Sequence, residues 1–147
     1  MTVALSGKKV AAQIEEKFPG SVVESSEGSL VIKGESLLAV AAFLRDTPEL
    51  GFDYLNYITA VDYYSHFEIV YQLTSLGHNH TMMFKTRCYR RESPVMPSVV
   101  GLWQGADFQE REIYDLMGIK FEGHPNMKRI FLWEGFEGYP LRKDYLS

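Results

Sequence analysis

Apolar residues near the start of the chain repeat with the period of a helix. Val10, Ile14 and Phe18 fall on one face of a helix predicted over residues 6–18, and Pro19 supplies its stop. The sequence therefore predicts an amphipathic first helix that packs one side against a core.

Short β-branched runs and a longer apolar run follow this helix. Residues 21–24 and 30–33 are separated by small residues that include Gly28, which predicts a hairpin. Residues 37–44 are apolar on all sides, and the residue before Pro48 is pushed away from helical dihedral angles. We expect a second, buried helix there.

Three longer strands are predicted in the middle of the chain. Residues 52–61 are apolar on both faces, which is typical of an interior strand, so we expect a central position in the sheet. Two alternating segments, joined by a loop over 77–80, form a further hairpin. Their predicted core-facing residues are Phe67, Ile69, Tyr71 and Leu73 on one strand and Met82, Phe84, Thr86 and Cys88 on the other.

Helical spacing returns between Leu102 and Met117, after an irregular connection marked by Pro94 and Pro97. The order α-β-β-α-β-β-β-α favours an α+β fold, with a mixed or antiparallel sheet covered by helices. We expect a single domain over residues 1–147, with a globular part over about 1–118 and an irregular C-terminal arm over about 119–147.

Composition and charge exclude several classes of function. The chain has 147 residues, 46% of them hydrophobic, and a net charge of −4, so no basic field attracts nucleic acid or an anionic bilayer. The one local basic cluster, Lys85, Arg87, Arg90 and Arg91, is interpreted as a solvated strand end.

A single cysteine, Cys88, excludes an intrachain disulfide and any iron–sulfur cluster ligated by this chain alone. Its alternating position predicts a small core residue. The longest apolar run is far shorter than the roughly 20 residues that span a bilayer, and the N-terminus does not resemble a signal peptide. We expect a cytosolic chain.

The last predicted helix is dense in acids and arginines. Asp107 and Glu110 have the spacing of a capping box, and Gly118 is placed to end the helix in a left-handed conformation. Arg111 lies four residues from both Asp107 and Asp115, so helical ion pairs account for two of these charges.

A catalytic alternative remains open for the same region. Glu110, Glu112, Asp115 and His124 are residue types that serve as acid–base groups or metal ligands. No nucleophile elbow, phosphate-binding loop or zinc-binding helix motif accompanies them. A further pair, His78 and His80, is interpreted as solvated.

The arm combines large apolar side chains with chain-breaking residues. Such a segment buries its aromatic side chains by wrapping over its own domain or onto another protein. Arg129 and Arg142 lie among these aromatic residues, and arginine is enriched at interface centres, which favours a partner protein. The aromatic and large apolar residues of the arm are Phe121, Ile130, Phe131, Leu132, Trp133, Phe136, Tyr139 and Leu141.

These residues resemble the signature of the C subunit of proton-pumping NADH:quinone oxidoreductase, respiratory complex I, the 30 kDa subunit family. Weaker similarity extends upstream to Leu55 and covers most of the chain. The matching positions are Glu110-Arg111-Glu112, Asp115-Leu116, Gly118, Phe121, Gly123-His124-Pro125, Arg129, Leu132, Gly138 and Pro140-Leu141-Arg142-Lys143-Asp144-Tyr145.

The resemblance implies a non-catalytic subunit of the peripheral arm, on the cytoplasmic side of the cell membrane. Flavin mononucleotide, iron–sulfur clusters and quinone would belong to other subunits, and this chain would bind no cofactor or metal. It would pack chiefly against the D subunit. The equivalent subunit of a membrane-bound hydrogenase or a deazaflavin-linked dehydrogenase is the alternative. The residues expected to bind the partner are Glu110, Arg111, Glu112, Asp115, His124, Arg129, Arg142, Lys143 and Asp144.

Overall fold

A computed structural model describes residues 2–133 and 135–145 of the chain. Within these residues the helices are α1 (Gly7–Lys17), α2 (Leu37–Asp46) and α3 (Ala106–Met117), with a 3₁₀ turn at Gly34–Ser36. The strands are β1 (Val3–Ala4), β2 (Val22–Ser25), β3 (Leu30–Ile32), β4 (Tyr54–Asp62), β5 (Phe67–Ser75), β6 (His80–Cys88), β7 (Val95–Pro97) and β8 (Lys120–Glu122).

The main sheet has the strand order β2-β3-β6-β5-β4, and β1 pairs with the beginning of β6. Strands β4, β5 and β6 are antiparallel neighbours, whereas β3 and β1 run parallel to β6. Strands β7 and β8 form a separate parallel pair. The predicted α+β fold with a mixed sheet is confirmed.

Buried residues from all three helices join one hydrophobic cluster with one face of the main sheet. Alternation places the core side chains of β5 and β6 in this cluster, and Phe67, Ile69, Tyr71 and Phe84 are fully buried. Cys88 is 6% exposed, so its prediction as a core residue is confirmed. The first helix, the hairpin and the second helix also form as predicted. The second helix is buried on one face only, because Leu38 is 47% exposed.

The prediction that residues 52–61 form a central strand is wrong. Among the residues that the structure describes, strand β4 is at the edge of the sheet and pairs only with β5. Its free edge is covered by α3 instead, because the Ile58 N–H donates to Gln109 Oε1 at 2.5 Å. The apolar residues that indicated an interior strand remain partly exposed on the other face, with Tyr54 at 49% and Tyr57 at 40%.

Three short strands were not predicted. Strand β1 pairs with β6, and β7, within the predicted irregular connection, pairs with β8. Strand β8 and its neighbour Ile119 lie in the predicted arm, but Ile119 and Phe121 are 0% and 2% exposed and belong to the core. The irregular part therefore begins after β8, and we call residues 123–145 the C-terminal segment. No helix in the described ranges is both long and apolar enough to cross a membrane.

Candidate functional site

Glu110 connects α3 to the chain that precedes it. Its carboxylate is fully buried and accepts from Ser98 Oγ at 2.5 Å and from the Val99 N–H at 2.9 Å. Burial raises the pKa of the Glu110 carboxyl, although both hydrogen bonds act in the opposite direction. The predicted capping box is wrong, because Glu110 bonds residues 98–99, and the helix begins at Ala106 after Gly105, which has no side chain to cap it.

Asp107, the other half of the predicted box, contacts His124. The His124 side chain is fully buried, and its Nε2 lies 3.0 Å from Asp107 Oδ1. The other ring nitrogen, Nδ1, accepts from the Asn126 N–H at 2.9 Å, so the proton of the neutral ring must be on Nε2. This contact ties the beginning of α3 to the C-terminal segment.

Asp115 holds the middle of the C-terminal segment from the buried side of α3. Its Oδ2 accepts from three successive backbone N–H groups, those of Ile130, Phe131 and Leu132, at 3.1, 2.7 and 3.1 Å. Its Oδ1 is 3.0 Å from Arg129 Nε, and the Asp115 side chain is fully buried. Three backbone donors therefore hold one oxygen of this carboxylate, and the Arg129 guanidinium faces the other.

Arg129 connects this carboxylate to the turn that follows. Its guanidinium donates to the carbonyl oxygens of Phe136 and Gly138, both at 2.6 Å, and to that of Asp115 at 3.2 Å. The guanidinium carbon is also 4.9 Å from the centre of the Tyr139 ring. Because only 8% of the side chain is exposed, Arg129 acts mainly within the chain.

Arg111 also bonds the C-terminal segment. It donates to the carbonyl oxygens of Lys128 at 3.1 Å and Arg129 at 3.4 Å. The predicted helical ion pairs of Arg111 are therefore wrong, since Asp107 and Asp115 pair with His124 and Arg129 instead.

Arg142 and Gly118 join the end of α3 to the last turn of the segment. Arg142 Nε donates to the Met117 carbonyl at 2.6 Å, and its guanidinium carbon is 5.2 Å from the centre of the Phe67 ring. Gly118 has φ 78°, which confirms the predicted left-handed helix end. A Cβ at this position would lie 2.7 Å from the Tyr139 ring, so the close approach also requires glycine.

Asp62, at the end of β4, holds the far end of the segment and was not identified from the sequence. Its carboxylate is 4% exposed and accepts from Arg91 at 2.5 and 3.0 Å and from the Lys143 N–H at 2.9 Å. Arg91 also pairs with Asp144 at 3.1 Å. The Arg91 guanidinium holds the pKa of the Asp62 carboxyl well below its usual range.

Several large apolar side chains of this region are exposed, whereas its charged side chains bond groups inside the domain. Phe108 on α3 is 65% exposed, and Phe131, Trp133 and Leu141 on the C-terminal segment are 64%, 69% and 59% exposed. We call these four residues the apolar surface. The segment therefore directs its polar bonds into its own domain and presents large hydrophobic side chains to solvent.

Comparison with known proteins identifies the family to which this architecture belongs. Residues 30–147 match the family model described as the respiratory-chain NADH dehydrogenase 30 kDa subunit. The chain belongs to this family. The resemblance inferred from the signature residues is thus confirmed, and all four residues of the apolar surface lie inside the matched range.

Relatives in the 30 kDa subunit family match over most of the chain. The NADH-quinone oxidoreductase C subunit of Roseiflexus castenholzii is 40% identical over 149 residues, which cover 97% of this chain and 85% of that protein. The C 2 subunit of the same enzyme from Rhizobium meliloti is 42% identical over 120 residues, which cover 80% and 65%. A chain in the structure of the membrane-bound sulfane sulfur reductase, an archaeal respiratory membrane complex, aligns with TM-score 0.71 and 30% identity, covering 94% of this chain and 84% of that one.

The signature residues of this family member act largely inside the chain. The side chains of Glu110, Asp115 and His124 are fully buried, so their observed partners are all intramolecular. Glu112 and Lys143 are exposed, and the partner role predicted for the set as a whole stays a prediction.

The structure does not support the catalytic alternative, because the carboxylates that it invokes have different surroundings. Glu110 bonds residues 98–99 and Asp115 bonds the C-terminal segment, while Glu112 is exposed. No group of three or more histidine, cysteine or carboxylate side chains is placed to hold a metal within 2–133 and 135–145.

Two further sequence interpretations are corrected. The basic cluster is not simply solvated, because Lys85 and Arg87 pair with Glu68 at 3.6 and 3.1 Å and Arg91 pairs with Asp62. His80 is 9% exposed rather than solvated, and its Nε2 is 2.9 Å from the Leu50 carbonyl oxygen.

Proposed function

We propose that this chain is a non-catalytic, cofactor-free subunit in the peripheral part of an NADH:quinone oxidoreductase, on the cytoplasmic side of the membrane. Electron transfer from NADH to quinone and the coupled proton translocation are functions of the assembly. Flavin mononucleotide, iron–sulfur clusters and quinone are bound by other subunits. This chain binds its neighbours, chiefly the D subunit.

One observation supports a role of the apolar surface in binding a partner protein. Its exposed rings lie beside arginine side chains that already bond groups of the same chain. Arg111 bonds carbonyl oxygens of the segment while its guanidinium carbon lies 5.7 Å from the centre of the exposed Phe108 ring. Trp133 packs edge-on to Phe136, which Arg129 contacts, yet Trp133 stays 69% exposed. Exposed aromatic rings held in fixed positions are typical of protein interfaces.

A large ring contributes to binding mainly when a partner removes it from water. Full burial of such a side chain is worth about 1.5–3 kcal/mol, and a few aromatic residues commonly dominate an interface. The internal bonds of the C-terminal segment reduce the loss of conformational entropy on association, because the backbone that carries the rings is already ordered.

The test replaces Phe131 and Trp133 together with serine in the native organism. We expect the amount of assembled complex in the membrane, measured on native gels, to fall strongly. The purified variant should unfold at nearly the wild-type temperature, because neither side chain is buried. Val23→Ser is the matched control, since Val23 is 50% exposed on β2 at the opposite edge of the sheet from β4. Normal assembly of the double variant would contradict the proposed surface.

A second candidate is the equivalent subunit of a related respiratory complex. The similarity to a chain of the membrane-bound sulfane sulfur reductase complex favours it. Isolation of the native complex through a tag on this chain separates the two. Co-purification of NADH-oxidising activity supports the first candidate, and a complex without that activity supports the second.

A further inference from the structure

Asp62 collects hydrogen bonds from three separate parts of the chain. Arg91 follows β6, Tyr64 lies in the turn between β4 and β5, and Lys143 is near the end of the C-terminal segment. The N–H groups of Tyr64 and Lys143 donate to different oxygens of the same carboxylate, at 2.8 and 2.9 Å. The bond to Lys143 spans 81 residues of sequence.

Tyr64 has an unusual backbone conformation at this point. Its φ is 66°, in the left-handed region that bulky side chains rarely adopt. Its hydroxyl donates to the Lys143 carbonyl at 3.1 Å, and the Lys143 ammonium nitrogen lies 5.4 Å from the centre of its ring. Strained backbone persists only where surrounding contacts determine it. Here the two contacts from the C-terminal segment act together with Asp62, which accepts from the Tyr64 N–H, and with Arg91, whose guanidinium carbon is 5.8 Å from the centre of the Tyr64 ring.

Arg91 completes the network on the segment side. It pairs with Asp62 through both terminal nitrogens and with Asp144 at 3.1 Å, and its guanidinium carbon is 4.8 Å from the centre of the Phe67 ring. Release of the segment would therefore remove the Lys143 donor from Asp62, the Asp144 partner from Arg91 and the hydroxyl acceptor from Tyr64. All three losses affect contacts that the C-terminal segment shares with the turn at Tyr64. The conformation of that turn and the position of the segment therefore depend on each other.

We propose that Asp62, Tyr64, Arg91 and Asp144 form a latch that fixes the end of the C-terminal segment, and that Tyr64 keeps its left-handed conformation only while the segment is latched. Because the latch and the turn share Asp62 and Arg91, each stabilises the other to the same degree. The latch also orders Leu141, part of the proposed apolar surface, whose N–H donates to the Leu116 carbonyl. The proposal depends only on contacts within the chain and does not require the docking function to be correct.

The first test uses Asp62→Asn in the purified full-length chain. The expected result is hydrogen exchange at the amides of residues 141–145 that is roughly tenfold faster or more, which corresponds to a loss of about 1.4 kcal/mol. Tryptic cleavage at Arg142 and Lys143 should accelerate by a similar factor, while exchange in α1 and α2 stays unchanged. Asp46→Asn is the matched control, because Asp46 pairs with the adjacent Arg45 on the exposed surface and has no contact with the segment.

The second test changes latch residues with two mild variants, Asp144→Asn and Tyr64→Phe, that leave the hydrophobic core intact. Asp144 is 53% exposed, and Tyr64→Phe removes only a hydroxyl. In Asp144→Asn we expect the backbone chemical shifts and the HN–Hα coupling of Tyr64 to move away from left-handed values. In Tyr64→Phe we expect faster exchange at residues 141–145.

The proposal predicts that each element responds when the other is changed. It is overturned if exchange at residues 141–145 in Asp62→Asn stays within twofold of wild type. It is also overturned if Asp144→Asn leaves the Tyr64 signals unchanged, or if Tyr64→Phe and Asp62→Asn accelerate exchange equally in the segment and in α1.

Discussion

Replacement of Asp115 with asparagine tests the anchoring of the C-terminal segment most directly. Asparagine keeps the shape of the side chain and one acceptor for the N–H groups of residues 130–132, but it removes the charge that faces Arg129. Arg129 is only 8% exposed, so water cannot replace the lost partner fully. Breaking a buried ion pair from one side costs about 3–5 kcal/mol, and the retained acceptor places our expectation near 3 kcal/mol.

That loss is a large part of the total stability of a domain, which is about 5–15 kcal/mol. At roughly 2–4 °C per kcal/mol for a chain of this size, the melting temperature should fall by about 6–12 °C. The assay is urea unfolding followed by tryptophan fluorescence and circular dichroism, with calorimetry for the melting temperature. Asp46→Asn, which removes an exposed partner of the adjacent Arg45 outside the segment, is the control and should leave the stability close to that of the wild type.

Two results would refute the reasoning about Asp115. One is a stability of Asp115→Asn within about 1 kcal/mol of wild type. The other is strict additivity with Arg129→Met, because two residues in one buried ion pair should show a coupling energy of about 0.5–3 kcal/mol. In the double variant no charge is left without its partner, so the combined loss should be smaller than the sum.

Three further predictions concern pH and backbone conformation. Asp62 has a lowered pKa, so the stability that its carboxylate contributes is present above about pH 4 and is lost as the pH falls below that value. In urea titrations below about pH 4, Asp62→Asn should therefore lose less stability with falling pH than the wild type does. Glu110 has a raised pKa, so its own contribution to stability should fall as the pH rises above about 4.3, and Glu110→Gln should remove this part of the pH dependence in the same titrations. Gly118→Ala should cost about 1–3 kcal/mol from its positive φ, more than Gly20→Ala in thermal denaturation, because only at Gly118 would the Cβ meet Tyr139. Equal losses at the two glycines would show that this contact adds nothing.

Local patterns predicted the elements whose determinants are close in sequence. The spacing of Val10 and Ile14 defines the buried face of α1, and the alternation from Phe67 to Leu73 defines the core face of β5. Both patterns depend on residues within one element, and a nearby glycine or proline ends it.

Partners that are distant in sequence were predicted poorly. The apolar faces of β4 indicated an interior strand, but its neighbour on the free edge is Gln109, 51 residues away from Ile58. Strands β1, β7 and β8 have two or three residues each, too few for a periodic signal, and depend on distant strands. The local pattern of apolar and polar residues does not show which distant segment will pair with a strand.

The same limit explains the errors in the candidate site. Asp107 and Glu110 have capping-box spacing, yet Glu110 faces the core, where Ser98 and Val99 satisfy it more fully than an exposed helix end would. Arg111 has ion-pair spacing to Asp115, but exposed helical pairs contribute only about 0.2–0.5 kcal/mol. The three backbone donors to Asp115 and its buried ion pair with Arg129 easily outweigh such a pair.

The separation of polar and apolar groups in the C-terminal segment implies an order of events in assembly. Arg129 and Arg142 bond backbone carbonyl oxygens of the same chain, so the conformation that presents Phe131, Trp133 and Leu141 exists before a partner arrives. If these arginines bonded a partner instead, the isolated segment would have unsatisfied carbonyl groups and would order only on binding. If the proposed docking role is correct, the observed arrangement favours docking of a preformed surface. Loss of an internal bond is then expected to lower the stability of the free chain, whereas loss of an exposed ring is expected to leave that stability unchanged and to weaken association.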